Sequence, residues 1–411
     1  MKLKITFAER SQALRSRAPE RGAVDAQAAG RQDRSPKSEV HPLRVLWKAV
    51  LLFVIGNLVF ALVNPPLGKI TLYNSLIPGR LRFPYEDKAS FYTVGYSVPI
   101  NEDFDAMFGA HVISRRKASN EFRLILLGDS ATWGFGLAAD EMLSEQINRL
   151  NIQTCDGRVV RAYNLAYPFS YLTRDLLLLD KAMEYQPDMV LWLVTLSTLE
   201  PKAAETNFIV PHWQRYGQLA DTYDLKLTHF SQPIQEPPLW DRTIVGQRKR
   251  IKNLALLQTF GVLWAGTGID NHESLRPEPG LPSPNVADNL DYEGRSPDRS
   301  SELLNSLLTN VLVTAYDVAG DVPVVLVNEP IFVASGKNHL VRYNGFYPRW
   351  VYDEYREFLL KWTDEHDHKL LDYWNAVPPE DFADAYFHRR LSGEKRFAEL
   401  LAPEIKGLAC P

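Results

Sequence analysis

The hydrophobic pattern changes character three times along the chain. Residues 1–42 are rich in Arg, Ser, Ala and Gln and hold no steady apolar period, which predicts a disordered segment. Val45 to Leu67 is then largely apolar, with a centre from Ala49 to Val63 interrupted only by Gly56 and Asn57. A helix needs about 20 such residues to cross a bilayer, and Trp47 and Lys48 suit its interfacial end, so one transmembrane anchor over 45–67 is predicted. Pro65 and Pro66 end it. Residues 68–117 carry short apolar patches without a secure period and read as a connecting segment.

From Phe122 the pattern sharpens. Short apolar runs at Phe122–Leu127, Val159–Asn164, Met189–Leu196, Val322–Asn328 and Lys369–Asp372 predict five buried strands. Helical spacing at Leu137–Leu150, Thr173–Tyr185, Trp350–His366 and Ser392–Ile405 predicts helices among them. Alternation of this kind implies a parallel sheet with helices on both faces, a three-layer α/β domain of flavodoxin-like order over 118–411. An interval at about 200–301 interrupts it. It holds one strongly helical stretch, Gln247–Trp264, and a Pro-, Asp- and Ser-rich run, Asn271–Ser301, that predicts a mobile loop. The interval reads either as an accessory helical hairpin packed on the sheet or as a cap over an active site.

Charge changes the picture in one respect. Residues 1–44 carry ten Lys and Arg against five acids, while the whole chain is −4. A basic tail that runs straight into an apolar stretch, without interleaved aromatics, points to membrane topology and away from nucleic acid. The positive excess precedes the anchor, so the tail is expected in the cytoplasm and everything after Pro66 outside. The 44-residue lead is long for a signal peptide and no Ala-x-Ala site follows, which favours an uncleaved anchor. Two cysteines, Cys155 and Cys410, are too few for a zinc cluster. In this strand order the first and last helices pack side by side and both end at the amino edge of the sheet. The two sulfurs are then placed for a disulfide, with two separate thiols as the alternative.

Candidate chemistry begins at Gly128-Asp129-Ser130-Ala131-Thr132-Trp133-Gly134, between the first strand and a helix. A sharp turn there lifts a nucleophile to the carboxyl edge of the sheet. A serine needs a base, and the base needs an orienting acid. Asp384 and His388 follow the last strand, ahead of the terminal helix, on the same edge.

Gly-Asp-Ser after the first strand, Asn164 at the end of the second, and Asp before His ahead of the last helix resemble the SGNH (GDSL-type) hydrolase superfamily. The resemblance covers roughly Phe122–Leu199 and Pro323–Ile405. It implies Ser130 as nucleophile and oxyanion donor, His388 as general base and acid, and Asp384 as its orienter, with Asp381 as a fallback because the family commonly spaces Asp three residues before His.

Two blocks depart from the family. In Asn164-Leu165-Ala166-Tyr167-Pro168-Phe169-Ser170, Phe169 or Ser170 stands where the donor glycine would be. Any residue except proline supplies a backbone N–H, so that change is tolerable. In Thr195-Leu196-Ser197-Thr198 the Asn donor of the third block is missing, leaving Ser197 as its nearest substitute. Asn328, at the end of the fourth strand, reads as an alternative donor or as a strand-end cap.

The resemblance implies ester hydrolysis through an acyl-enzyme at the outer face of the cytoplasmic membrane, on an ester or acylated glycan. Transfer of the acyl group to a surface polysaccharide and a catalytically dead binding protein are the competing outcomes. No cofactor is implied. His366 and His368, with Asp364 and Asp367, end a helix and predict a solvated face instead of a metal site.

Overall fold

The computed structural model describes residues 41–84, 103–202, 205–227, 234–268 and 280–410. Five strands, β1 (Glu121–Leu127), β2 (Val159–Asn164), β3 (Met189–Val194), β4 (Val324–Asn328) and β5 (Leu370–Asp372), form one sheet in the order β2-β1-β3-β4-β5. Every neighbouring pair is parallel. This is the flavodoxin-like arrangement that the alternation of elements predicts.

The helices used below are α1 (Pro42–Val63), α2 (Phe104–Ala110), α3 (Leu143–Arg149), α4 (Leu172–Met183), α5 (Trp213–Tyr223), α6 (Arg248–Leu256), α7 (Thr309–Ala319), α8 (Arg349–Glu365) and α9 (Leu391–Leu408). Side chains alternate along each strand and so feed two cores. Leu124, Leu126, Leu191, Leu193, Val325 and Val327 face Leu143 and Ile147 of α3 and Phe397, Leu401 and Ile405 of α9. Ile125, Leu127, Val190, Trp192 and Val194 face α4, α7 and α8 on the other side. Each such Leu, Ile or Val contributes roughly 1.5–3 kcal/mol by leaving water, before chain entropy is subtracted.

Differences from the sequence pattern have local causes. The helix expected at Leu137–Leu150 is confined to α3, because Gly134 and Gly136 take φ of +89° and +79° and the carbonyls of Gly134 and Leu137 turn towards Arg82. β3 stops at Val194, where Thr195 caps the helical turn Leu196–Leu199. The β3–β4 crossover is completed by α7, which the apolar spacing does not reveal; its Val311, Val313 and Val318 weaken a helical signal that packing then overrides. The connecting segment carries Tyr73, Phe83, Phe104, Met107, Phe108 and Ile113 into the α4-side core.

In the interval at 200–301, α6 continues through a π-helical turn, Leu257–Gly261, to Val262–Thr267. It packs on the connecting segment: Arg250 pairs with Asp103 at 2.7 Å, and Arg80 donates to the Gly261 carbonyl at 3.0 Å. Of the loop expected at Asn271–Ser301, residues 271–279 lie outside the described residues. The rest is tied down, with Tyr292 buried and its hydroxyl bonded to Glu200 at 2.5 Å.

Among the described residues the chain falls into two units, the part of α1 up to Val54 and everything from Ile55 onward. By length and composition α1 is, among the described residues, a helix able to cross a membrane. The expected disordered tail lies outside the described residues except for 41–44, where Pro42 already starts α1. Cys155, after α3, and Cys410, beyond α9, form a disulfide with their Cα atoms 5.2 Å apart.

Candidate active site

β1 delivers the chain to Gly128, whose φ of +155° and crowding leave no room for a side chain: a Cβ there would lie 2.7 Å from Thr132 Oγ1 and 3.2 Å from the Leu193 carbonyl. The next residue, Asp129, caps the helical turn Ser130–Trp133 by accepting the Ala131 N–H at 2.9 Å. Its other oxygen accepts the Ser170 hydroxyl at 2.7 Å. Asn164 donates to the Thr132 carbonyl at 2.8 Å, so the end of β2 holds the turn from the opposite side. Beneath it the buried Arg174 donates to the Pro168 carbonyl at 2.6 Å and to Asp175 at 2.8 Å. Burial pushes the Asp175 carboxyl up to about 6, against the pull of Arg174. The turn therefore presents Ser130 half-exposed at the carboxyl edge of the sheet, on a support with little freedom to move.

The loop after β5 brings the base. An antiparallel bridge pairs Phe382 with Arg389, and the Ala383 N–H donates to the His388 carbonyl at 2.8 Å. One Asp384 oxygen collects the N–H groups of Tyr386, Phe387 and His388 at 3.0, 3.2 and 3.3 Å. That turn brings the other oxygen to His388 Nδ1 at 2.5 Å, so the four-residue spacing still closes. With Nδ1 carrying its proton towards the carboxylate, Nε2 is the acceptor, and it lies 2.9 Å from Ser130 Oγ. Phe135 and Phe387 flank the imidazole, each with its ring centroid 4.8 Å away. Asp381 is engaged elsewhere, with Arg396 at 2.9 Å.

A buried charge cluster backs this loop. Arg389 donates to Glu329 and to Glu394, each at 3.1 Å, and all three side chains are excluded from solvent. Burial pushes Glu329 up to about 8, the nearby Asp129 pushes the same way, and Arg389 opposes both. Burial pushes the Glu394 carboxyl up as well, and Arg389 opposes it there too.

The oxyanion candidates divide. Phe169 is exposed and takes φ of +69°, a left-handed backbone that ordinarily favours glycine, while carrying an aromatic ring stacked on Tyr171 at 5.9 Å. Ser197 is buried, its N–H donating to the Tyr347 hydroxyl at 3.2 Å and its Oγ accepting Lys202 Nζ at 2.8 Å. Lys202 also donates to the Ser170 carbonyl at 3.0 Å, tying the second block to the third. Burial holds its ammonium below the usual lysine range, partly offset by Glu200 and Glu205. Asn328 faces β5 and α8: it donates to Asp372 at 2.7 Å and accepts the hydroxyls of Tyr352 and Tyr355 at 3.0 and 3.4 Å.

Ser130, His388 and Asp384 thus converge, with Asn164 supporting the Ser130 turn, and Ser197 is linked through Lys202 to Ser170, whose hydroxyl bonds Asp129. Lys202, Arg174 and the Glu329–Arg389–Glu394 cluster escaped the sequence reading. A lone lysine or a buried ion pair has no spacing signature. His366 and His368 stack against the aromatic pair Trp362 and Tyr316, and among the described residues no group of His, Cys, Asp and Glu is arranged to hold a metal ion.

No protein-family model matches this chain, and no curated protein does. Among solved structures it is similar to a carbohydrate acetylesterase from Sinorhizobium meliloti, at 10% identity and a TM-score of 0.33, over 70% of this chain and 99% of that one.

Proposed function

We propose that this chain is a serine hydrolase of acyl esters, held at the outer face of the cytoplasmic membrane by α1. The observation that carries the reading is the hydrogen-bonded series Ser130 Oγ, His388 Nε2, His388 Nδ1, Asp384 Oδ2, with links of 2.9 and 2.5 Å across 258 residues of chain. Such a series has a direct chemical use. His388 accepts the Ser130 proton as Oγ bonds to the ester carbonyl carbon, and Asp384 steadies the imidazolium that results. The tetrahedral oxyanion is stabilised by the backbone N–H groups of Ser130 and Phe169, with the Lys202 ammonium bringing positive charge beside the third block, where the family has an amide donor. Collapse expels the alcohol, which takes the proton from His388 and leaves an acyl-enzyme on Ser130.

Water then releases the acid. The same intermediate passed to a sugar hydroxyl would make an O-acyltransferase, and product analysis with and without an added hydroxyl acceptor separates the two. The external location is supported by the basic lead of 1–44 and by the Cys155–Cys410 disulfide, a bond that persists in oxidising compartments.

A fluorophosphonate probe tests the core of the reading. Covalent labelling of the native protein at Ser130, abolished in Ser130→Ala and in His388→Ala, is expected. A native protein that stays unlabelled while folded would overturn it.

A further inference from the structure

A second stretch of the chain lies beside the apolar anchor, far from it in sequence. Asn57 sits six residues before the end of α1, roughly 9 Å along the axis from Val63, and so within the apolar run. A polar amide at that height needs a partner. The Asn57 carbonyl accepts the backbone N–H of Val245 at 3.2 Å, and Asn57 and Ala61 are the two buried residues of the helix. The loop that carries Val245 is therefore held at the level of the last turns of the span.

That loop is rigid and its outer surface is apolar. Thr243 Oγ1 donates to the Trp240 carbonyl at 2.7 Å and accepts the Gly246 N–H at 3.0 Å. Gly246 passes so close that a Cβ would meet the Trp240 carbonyl oxygen at 2.3 Å. This packing turns Leu239, Trp240 and Ile244 outward, 42%, 63% and 39% exposed. The chain then enters α6 through Arg248, Lys249 and Lys252, all exposed, while Arg250 is occupied by Asp103. Asp241 is an exposed acid in the same loop, and Glu236 is paired with Arg242. Apolar side chains including a tryptophan, with cations one turn beyond, match the boundary between acyl chains and phosphate headgroups.

We propose that residues 239–252 form an interfacial membrane contact. Leu239, Trp240 and Ile244 enter the outer leaflet beside α1, and Arg248, Lys249 and Lys252 meet lipid phosphates. The domain is then held against the bilayer at two points, with its orientation set, instead of swinging on a single tether. The inference rests on the reading of α1 as a membrane span.

The native cysteines are joined in a disulfide, so a cysteine introduced at an exposed position is the single free thiol. Full-length Trp240→Cys, Ile244→Cys, Leu52→Cys and Leu340→Cys are spin-labelled in phospholipid vesicles, and collisions with oxygen and with a water-soluble nickel chelate are compared. Labels at 240 and 244 are expected at about 5–10 Å into the headgroup and acyl boundary, the label at 52 deeper, and the label at 340 in water. A label at 52 in lipid with labels at 240 and 244 in water overturns this inference and spares the anchor. A label at 52 in water overturns both. Labels at 240 and 244 shielded from both reagents would mark a protein partner and overturn the lipid contact.

Discussion

The two edges of the sheet are built on opposite plans. At the amino edge the charges around β1 and β3 have settled partners. Asp188, just before β3, meets Lys117 at 2.5 Å, Arg158 at 2.7 Å and the Arg123 N–H at 2.6 Å. Burial alone would push its carboxyl up, yet these hydrogen bonds hold it below the usual range. Arg123 is shared among Glu121 and the carbonyls of Ile113 and Tyr185, and the disulfide closes the same end. At the carboxyl edge, by contrast, Ser130 is half-exposed, Phe169 holds a left-handed backbone, and burial pushes the Lys202 ammonium down and the Glu329 carboxyl up. The amino edge spends its charges on holding the strands, and the carboxyl edge holds ionisable groups whose pKa values burial shifts, as is common at reactive sites.

Substitutions should separate the two edges. The largest expected effect is on turnover: Ser130→Ala and His388→Ala each lower ester hydrolysis at least about 1000-fold, with the double variant little worse, because the two act as a unit. Thermal unfolding of both should stay close to native, and ready activity in either would remove the functional role of the carboxyl edge.

Asp384→Asn is expected to lose roughly 100- to 10,000-fold through the wrong imidazole tautomer, whereas Asp381→Asn stays within a few-fold in kcat. If Asp381→Asn were the more damaging in kcat, the orienting acid would have been misassigned.

The amino edge should break differently. Cys410→Ser opens a loop closed over 255 residues, which costs about 5 kcal/mol in the chain-entropy estimate. Urea unfolding should show that loss while kcat per folded molecule is unchanged. A large fall in kcat with native stability would contradict the division.

The smallest effect concerns proton linkage. Glu329 rises from 4.5 to about 8 on folding. The folded state therefore binds the extra proton between those values, and this group's stabilising contribution falls as pH rises through that window. Glu329→Gln cannot ionise, so its melting temperature should decline less than the native one between about pH 5 and 8. Parallel declines would mean that Glu329 is charged throughout.

Much of this was legible in the chain. β2 falls on Val159–Asn164 as the apolar run predicts, and β1 differs only by Glu121, because buried strands leave runs that little else imitates. The residues of the hydrogen-bonded series were visible because Gly128 and the chain order around Asp384 and His388 constrain them. What escaped depends on distance in space. The packing of Tyr73 and Phe108 on the sheet comes from patches too short to carry a period. Lys202 and the Arg389 cluster are defined by carbonyls and carboxylates from remote segments. The helix expected from Leu137 yielded to a tertiary partner, Arg82, that local propensity does not see.

The separation of 258 residues between Ser130 and His388 also sets an order of events at the ribosome. At about 5–20 residues per second, the turn bearing Ser130 is made roughly ten to fifty seconds before the histidine that would activate it. Through that interval the serine is an ordinary alcohol, with no imidazole in place to take its proton.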